Sequence, residues 1–216
     1  MCTLIVRTGH PLTLMGVRDE FTDRPWEGPG EHWPDYPGVV GGRDLKAGGT
    51  WLAVNQAARR AAALLNGRGK AAAERTKVSR GDLALRAAYT GEGPRGDLSR
   101  YDPFHLVLAT LGGVRLFSWD GERLTTTDLP DGTSMVVNEG LDPTGPRVLA
   151  HLPRFRAAGT WRDLVAAEPS ADPGALIVRH ELPDGRIFAS LSVMEVALSP
   201  DEVTYDFIDL TAETDG

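Results

Sequence analysis

The sequence holds one cysteine in 216 residues, no apolar run near the 18 or so residues of a membrane span, and no surplus of positive charge. Each shortage excludes something. A single cysteine builds neither an internal disulfide framework nor a multi-cysteine zinc site, so a reducing compartment, the cytosol, is expected. A formal charge of −7 argues against a general nucleic-acid binder, because neutralising phosphates needs a positive surface. The start, Met1-Cys2-Thr3-Leu4-Ile5-Val6-Arg7, has no basic leader ahead of a long apolar stretch, and a soluble chain is expected.

What is present is ordinary globular material. Hydrophobic residues make up 41% and charged residues 25%, while 25 Gly and 15 Pro promise many turns. One core spanning residues 1–216 is expected at this length. Apolar runs at 2–8 and 12–17 flank Gly9-His10-Pro11 and read as a hairpin. A turn centred on His10 makes antiparallel partners sum to 20, which sets Cys2 opposite Arg18 with Cβ atoms roughly 5 Å apart. Residues 22–50 carry Pro25, Pro29, Pro34, Pro37 and two glycine pairs, and read as a long loop able to cover a site.

Further strands are expected at 51–54, 61–65, 104–111, 114–119, 123–127, 135–137, 175–179, 186–198 and 203–210. Helices are expected near 79–89, 144–152 and 160–168, with Ser79-Arg80-Gly81-Asp82 and Thr160-Trp161-Arg162-Asp163 as capping boxes. Many strands with helices grouped in the middle give an α+β layered fold whose sheets are mainly antiparallel.

The lone cysteine directly follows the initiator methionine. If Met1 is removed, residue 2 carries both a thiol and a free α-amine, whose ordinary pKa of about 7.7 to 8.0 lets it take the thiol proton near neutrality. Nucleophile and base then share one residue. Arg18 would lower the thiol pKa by its charge, Asp19 or Glu20 would orient the amine or the arginine, and Asn66 and Asn138, each ending an apolar run, could supply oxyanion donors. A small core residue is the plainer meaning of a cysteine heading a strand. Trp26, Trp33, Trp51 and Phe104 could line a pocket for an apolar acyl group, although such residues are also common in cores.

Met1-Cys2, Val17-Arg18-Asp19-Glu20-Phe21 with Arg24-Pro25, Gly41-Gly42-Arg43-Asp44 and Gly48-Gly49-Thr50-Trp51-Leu52 together resemble the NRDE family, which includes the transport and Golgi organisation protein 2 homologues. Ser79-Arg80-Gly81, Tyr101-Asp102-Pro103-Phe104 and Val137-Asn138 resemble its later landmarks. The resemblance implies a four-layer αββα sandwich like that of N-terminal nucleophile (Ntn) hydrolases, with Cys2 as nucleophile and base, Arg18 and Asp19 as supports, and Asn66 and Asn138 as the oxyanion and substrate-orienting pair. Two departures stand out. Val17 replaces the asparagine of the family's name motif, and Ala189-Ser190-Leu191 stands where the family has Gly-Thr-Arg, removing an arginine.

Two functions remain open at this point. One is hydrolysis or acyl transfer on a small non-peptide amide through a Cys2 thioester, needing no cofactor and no metal. The other is a non-catalytic carrier of haem or an acyl-lipid ligand, with Cys2, His10, His32, His105, His151 or His180 as candidate haem ligands. The basic stretch Arg59, Arg60, Arg68, Lys70, Arg75, Lys77 and Arg80 reads as a solvated surface, with an anionic ligand such as a carboxylate or phosphate as the alternative. The expected partner is a small molecule, with neither nucleic acid nor membrane, and self-association is open.

Overall fold

The computed structural model describes residues 3–172 and 174–211. The initial hairpin forms where the sequence places it: β1 (Thr3–Arg7) pairs antiparallel with β2 (Leu12–Phe21), Thr3 opposite Val17 and Arg7 opposite Thr13, so partners sum to 20. Leu4, Val6, Leu12 and Leu14 bury one face, and Ile5, Met15 and Val17 bury the other. A strand apolar on both faces must be covered on both sides.

The sheet around this hairpin is antiparallel. On one side β1 meets β10 (Thr133–Val137). On the other, β2 meets β12 (Ile187–Leu198), which also pairs with β11 (Arg179–Glu181) and β13 (Val203–Asp209). The second sheet is a seven-stranded antiparallel meander of β3 (Trp26–Gly30), β4 (Val39–Asp44), β5 (Leu52–Asn55), β6 (Arg60–Asn66), β7 (Phe104–Thr110), β8 (Gly113–Trp119) and β9 (Leu124–Asp128).

Alternation along each strand sorts the core into three layers. Between the sheets, Leu4, Val6 and Leu14 pack with Leu52, Val54, Ala63, Leu65 and Val107. The opposite face of the second sheet receives α1 (Gly81–Thr90), whose Leu83, Ala84, Ala87 and Ala88 fall on one stripe and meet Ala62, Leu106 and Leu108. The opposite face of the first sheet receives α2 (Pro146–Ala157) and the single turn α3 (Arg162–Val165), through Val148, Leu152, Phe155, Trp161 and Val165. Helix, sheet, sheet, helix is the four-layer α+β arrangement.

Three expectations need correction. Residues 22–50 are not one loop, since β3 and β4 lie inside them. Pro29 is tolerated because β3 is an edge strand, and Gly41-Gly42 are demanded by packing: a Cβ on Gly42 would lie 2.3 Å from the Trp51 ring and one on Gly41 2.5 Å from the Leu52 carbonyl oxygen. Neither capping box forms, because the helices start later than expected. The α1 N-cap is Arg80 and the α3 N-cap is Trp161, neither with a side-chain cap bond, while Ser79 Oγ instead accepts the Gly81 N–H. The strand expected over 175–179 begins only at Arg179.

Candidate functional site

The head of β1 lies between two strands. Thr3 pairs with Val17 of β2 on one side and with Val137 of β10 on the other, so the chain continues past it as Arg18-Asp19 on one flank and Asn138 on the other. Cys2, the expected nucleophile, falls outside the described residues.

Arg18 and Asp19, adjacent on β2, serve opposite faces. Both are buried. The Arg18 guanidinium lies toward the second sheet, its Cζ 4.2 Å from the Trp51 ring centre and 5.8 Å from that of Trp26. The Asp19 carboxylate, 1% exposed, faces the α2 side. There it accepts a 2.6 Å hydrogen bond from Ser190 Oγ and lies 3.3 Å from Arg147 Nη1, which also donates to Thr3 Oγ1 at 2.9 Å. Ser190 Oγ in turn accepts the Val178 N–H at 2.9 Å.

A bulge in β12 makes this possible. Ser190 pairs with Asp19 and Ser192 with Arg18, so one extra residue, Leu191, is absorbed opposite two consecutive residues of β2. In a regular strand Ser190 and Ser192 would share a face; here Ser190 bonds Asp19, while Ser192 stands in register with Arg18.

Two cavities flank this centre. One, about 660 Å3, is lined by Arg18, Trp51 and Asn66 together with Thr50, Ser79 and Arg80. The other, about 430 Å3, is lined by Asp19, Asn138, Arg147, His180 and Phe188. The structure therefore distributes the expected polar residues in two pairs, Arg18 with Asn66 and Asp19 with Asn138.

Asn138 is held from the second sheet. His105 on β7 hydrogen-bonds the Asn138 carbonyl through Nε2 at 3.2 Å and Ser118 Oγ through Nδ1 at 2.8 Å. A carbonyl only accepts, so the proton sits on Nε2 and the serine hydroxyl donates to Nδ1. Burial pushes the His105 pKa below its ordinary value, with the Asn138 carbonyl opposing.

The four aromatic residues do not form one pocket. Trp26 and Trp51 meet edge to face at 6.0 Å on the Arg18 side. Phe104 and Trp33 belong instead to the layer beneath α1, on the far face of the second sheet. Phe104 follows the outward parity of Leu106 and Leu108, and Trp33 donates its indole N–H to the Gly48 carbonyl. The other histidines are dispersed: His10 is exposed in the first turn, His32 bonds the Gly28 carbonyl, His151 bonds the Gly174 carbonyl, and His180 stacks on Phe188 at 5.5 Å.

Sequence reasoning missed Arg147 and Ser190 as neighbours of the centre. Ala189-Ser190-Leu191 looked like the loss of an arginine, yet Ser190 contacts Asp19 and a guanidinium arrives there from α2. Their separations from Asp19 of 128 and 171 residues leave no local signal.

No curated protein matches the chain in sequence. Among solved structures, the Cys2-to-Ala mutant of conjugated bile acid hydrolase from Clostridium perfringens is 11% identical with a TM-score of 0.49, over 100% of this chain and 94% of the other. Penicillin V acylase from Agrobacterium tumefaciens is 13% identical with a TM-score of 0.48, over 97% of this chain and 86% of the other. The sequence pattern of the Transport and Golgi organisation 2 family matches residues 1–172, and the chain belongs to that family.

Proposed function

We propose that the protein is an N-terminal cysteine hydrolase or acyl transferase acting on a small amide. The observation that carries this reading is the placement of Thr3, the residue after the lone cysteine, between Val17 and Val137, so that Arg18-Asp19 and Asn138 follow directly on the two flanking segments past the head of β1. In this reading Met1 is removed and Cys2 acts into the cavity lined by Arg18, Trp51 and Asn66.

The chemistry follows from those groups. The Cys2 α-amine takes the thiol proton, and the Arg18 charge favours the thiolate. Sulfur attacks the amide carbonyl, and the side-chain N–H of Asn66, which lines the same cavity, takes the oxyanion, while Asn138 lines the other cavity. Collapse of the tetrahedral intermediate breaks the C–N bond as the α-ammonium protonates the departing amine, leaving a thioester. Water, deprotonated by the same α-amine, or a second amine then releases the acyl group and regenerates the thiol. Asp19, fixed by Ser190 and Arg147, is the buried negative charge that would hold the α-ammonium.

The test is a panel of small amides incubated with the purified chain, with Cys2→Ala as control. Release of free amine that disappears in Cys2→Ala is expected. Release that persists in Cys2→Ala would remove the cysteine from the mechanism.

A further inference from the structure

The basic stretch that runs from Arg59 to Arg80 is dispersed by the fold, and two members, Lys77 and Arg80, line the cavity that holds Arg18 and Asn66. The position of Arg80 is set by backbone contact. Gly49 and Gly81 touch so closely that a Cβ on Gly49 would lie 2.5 Å from the Gly81 Cα, and Thr50 N–H donates to the Gly81 carbonyl at 3.3 Å. The residue before Gly81 is thereby held beside the Gly49-Thr50 backbone.

The carboxylates around this cavity already have cations. Arg24 lies 2.7 Å from Asp44 and 3.8 Å from Glu20, and Lys77 lies 2.8 Å from Asp102. Arg80 has no carboxylate within ion-pair distance among the described residues. Its one hydrogen bond there runs from Nη1 to the Pro103 carbonyl at 2.7 Å, leaving Nε and Nη2 without a partner. Burial works against this charge and lowers its pKa from the ordinary value. The Asp102 and Glu20 charges offset part of that penalty, and an anion seated on the free edge of the guanidinium would offset more of it.

We infer that Arg80 is a substrate-anchoring residue: the amide taken by this cavity carries a carboxylate, gripped by the Nε and Nη2 donors of Arg80. Two N–H groups on one edge of a planar fork match the two oxygens of a carboxylate. The carboxylate marks the non-reacting end of the molecule, and Trp51, whose ring lies 4.2 Å from the Arg18 Cζ, supplies an apolar part of the cavity wall. This rests on the reading that the cavity is the substrate site.

Binding and turnover are measured separately, so that the two readings fail separately. Calorimetric titration of Cys2→Ala with N-octanoylglycine and with its neutral partner N-octanoylglycinamide reads the anchor, and amine release by the parent chain reads the chemistry. The carboxylate probe binds Cys2→Ala about ten- to a hundredfold more tightly than the carboxamide. Adding Arg80→Gln brings the ratio to about one. Arg80→Lys keeps the charge but loses the fork, and retains an intermediate ratio, which separates loss of the anchor from loss of the fold. That pattern without turnover by the parent supports the anchor and sinks the hydrolase reading. Turnover with equal binding of the two probes, or a preference that survives Arg80→Gln, overturns the anchor.

Discussion

Replacing Ser190 with alanine removes two hydrogen bonds at one buried atom. Ser190 Oγ donates to the Asp19 carboxylate at 2.6 Å and accepts the Val178 N–H at 2.9 Å. A hydrogen bond to a charged group contributes about 1.5–3 kcal/mol, and a buried N–H left unsatisfied costs about 1–3 kcal/mol. Partial relaxation around the small cavity brings the expected loss to about 2–4 kcal/mol. With a urea dependence of about 1–3 kcal/mol per molar, the unfolding midpoint falls by roughly 1 M or more. Asp19→Asn keeps an acceptor oxygen while removing the charge, so the double-mutant cycle isolates the charge-assisted part of the bond, with an expected coupling of about 1 kcal/mol. A loss below about 0.5 kcal/mol together with a coupling near zero would refute the assignment of Ser190 as the holder of Asp19.

Other expected outcomes concern the surrounding scaffold. His105 is held neutral by burial, so the unfolded chain binds its proton more readily than the native one. Stability from this residue is complete above the unfolded value of about 6.5 and declines as the pH falls below it. Urea midpoints measured from pH 8 to pH 5 should show that decline, shallower in His105→Gln; parallel curves would contradict it. Gly49→Ala forces a Cβ against the Gly81 backbone and should destabilise by about 1–3 kcal/mol in a thermal or urea melt, whereas Gly28→Ala, with open space around it, should stay within about 0.5 kcal/mol. Trp51→Leu removes the ring 4.2 Å from the Arg18 Cζ and should lower the rate of amide release while also costing about 1–3 kcal/mol of stability; unchanged activity would argue against a role for that face of Arg18.

Local signals carried much of the fold. The first hairpin and its register followed from a turn flanked by two apolar runs, and the strands from Phe104 to Asp128 from alternating residues and tight turns. Residues 26–44 were obscured because proline and glycine suggest loop, whereas Pro29 sits on a sheet edge, Gly42 admits the Trp51 ring and Gly41 the Leu52 carbonyl. Within the candidate site, Arg18, Asp19 and Asn138 were readable as strand-end residues near the chain start. Arg147 and Ser190 were not, because one depends on how α2 crosses the sheet and the other on a bulge that reverses strand parity. The separation of Trp33 and Phe104 from Trp26 and Trp51 has a related cause: a sequence shows aromatic residues without showing which side of a sheet they occupy.

The central claim, that residue 2 is a self-activated nucleophile, is most directly tested by intact mass followed by peptide mapping after brief exposure to an activated acyl ester. The account predicts a chain lacking Met1 that gains one acyl mass, located on Cys2 and absent from Cys2→Ala. A chain that retains Met1, or an adduct that maps elsewhere, would contradict it.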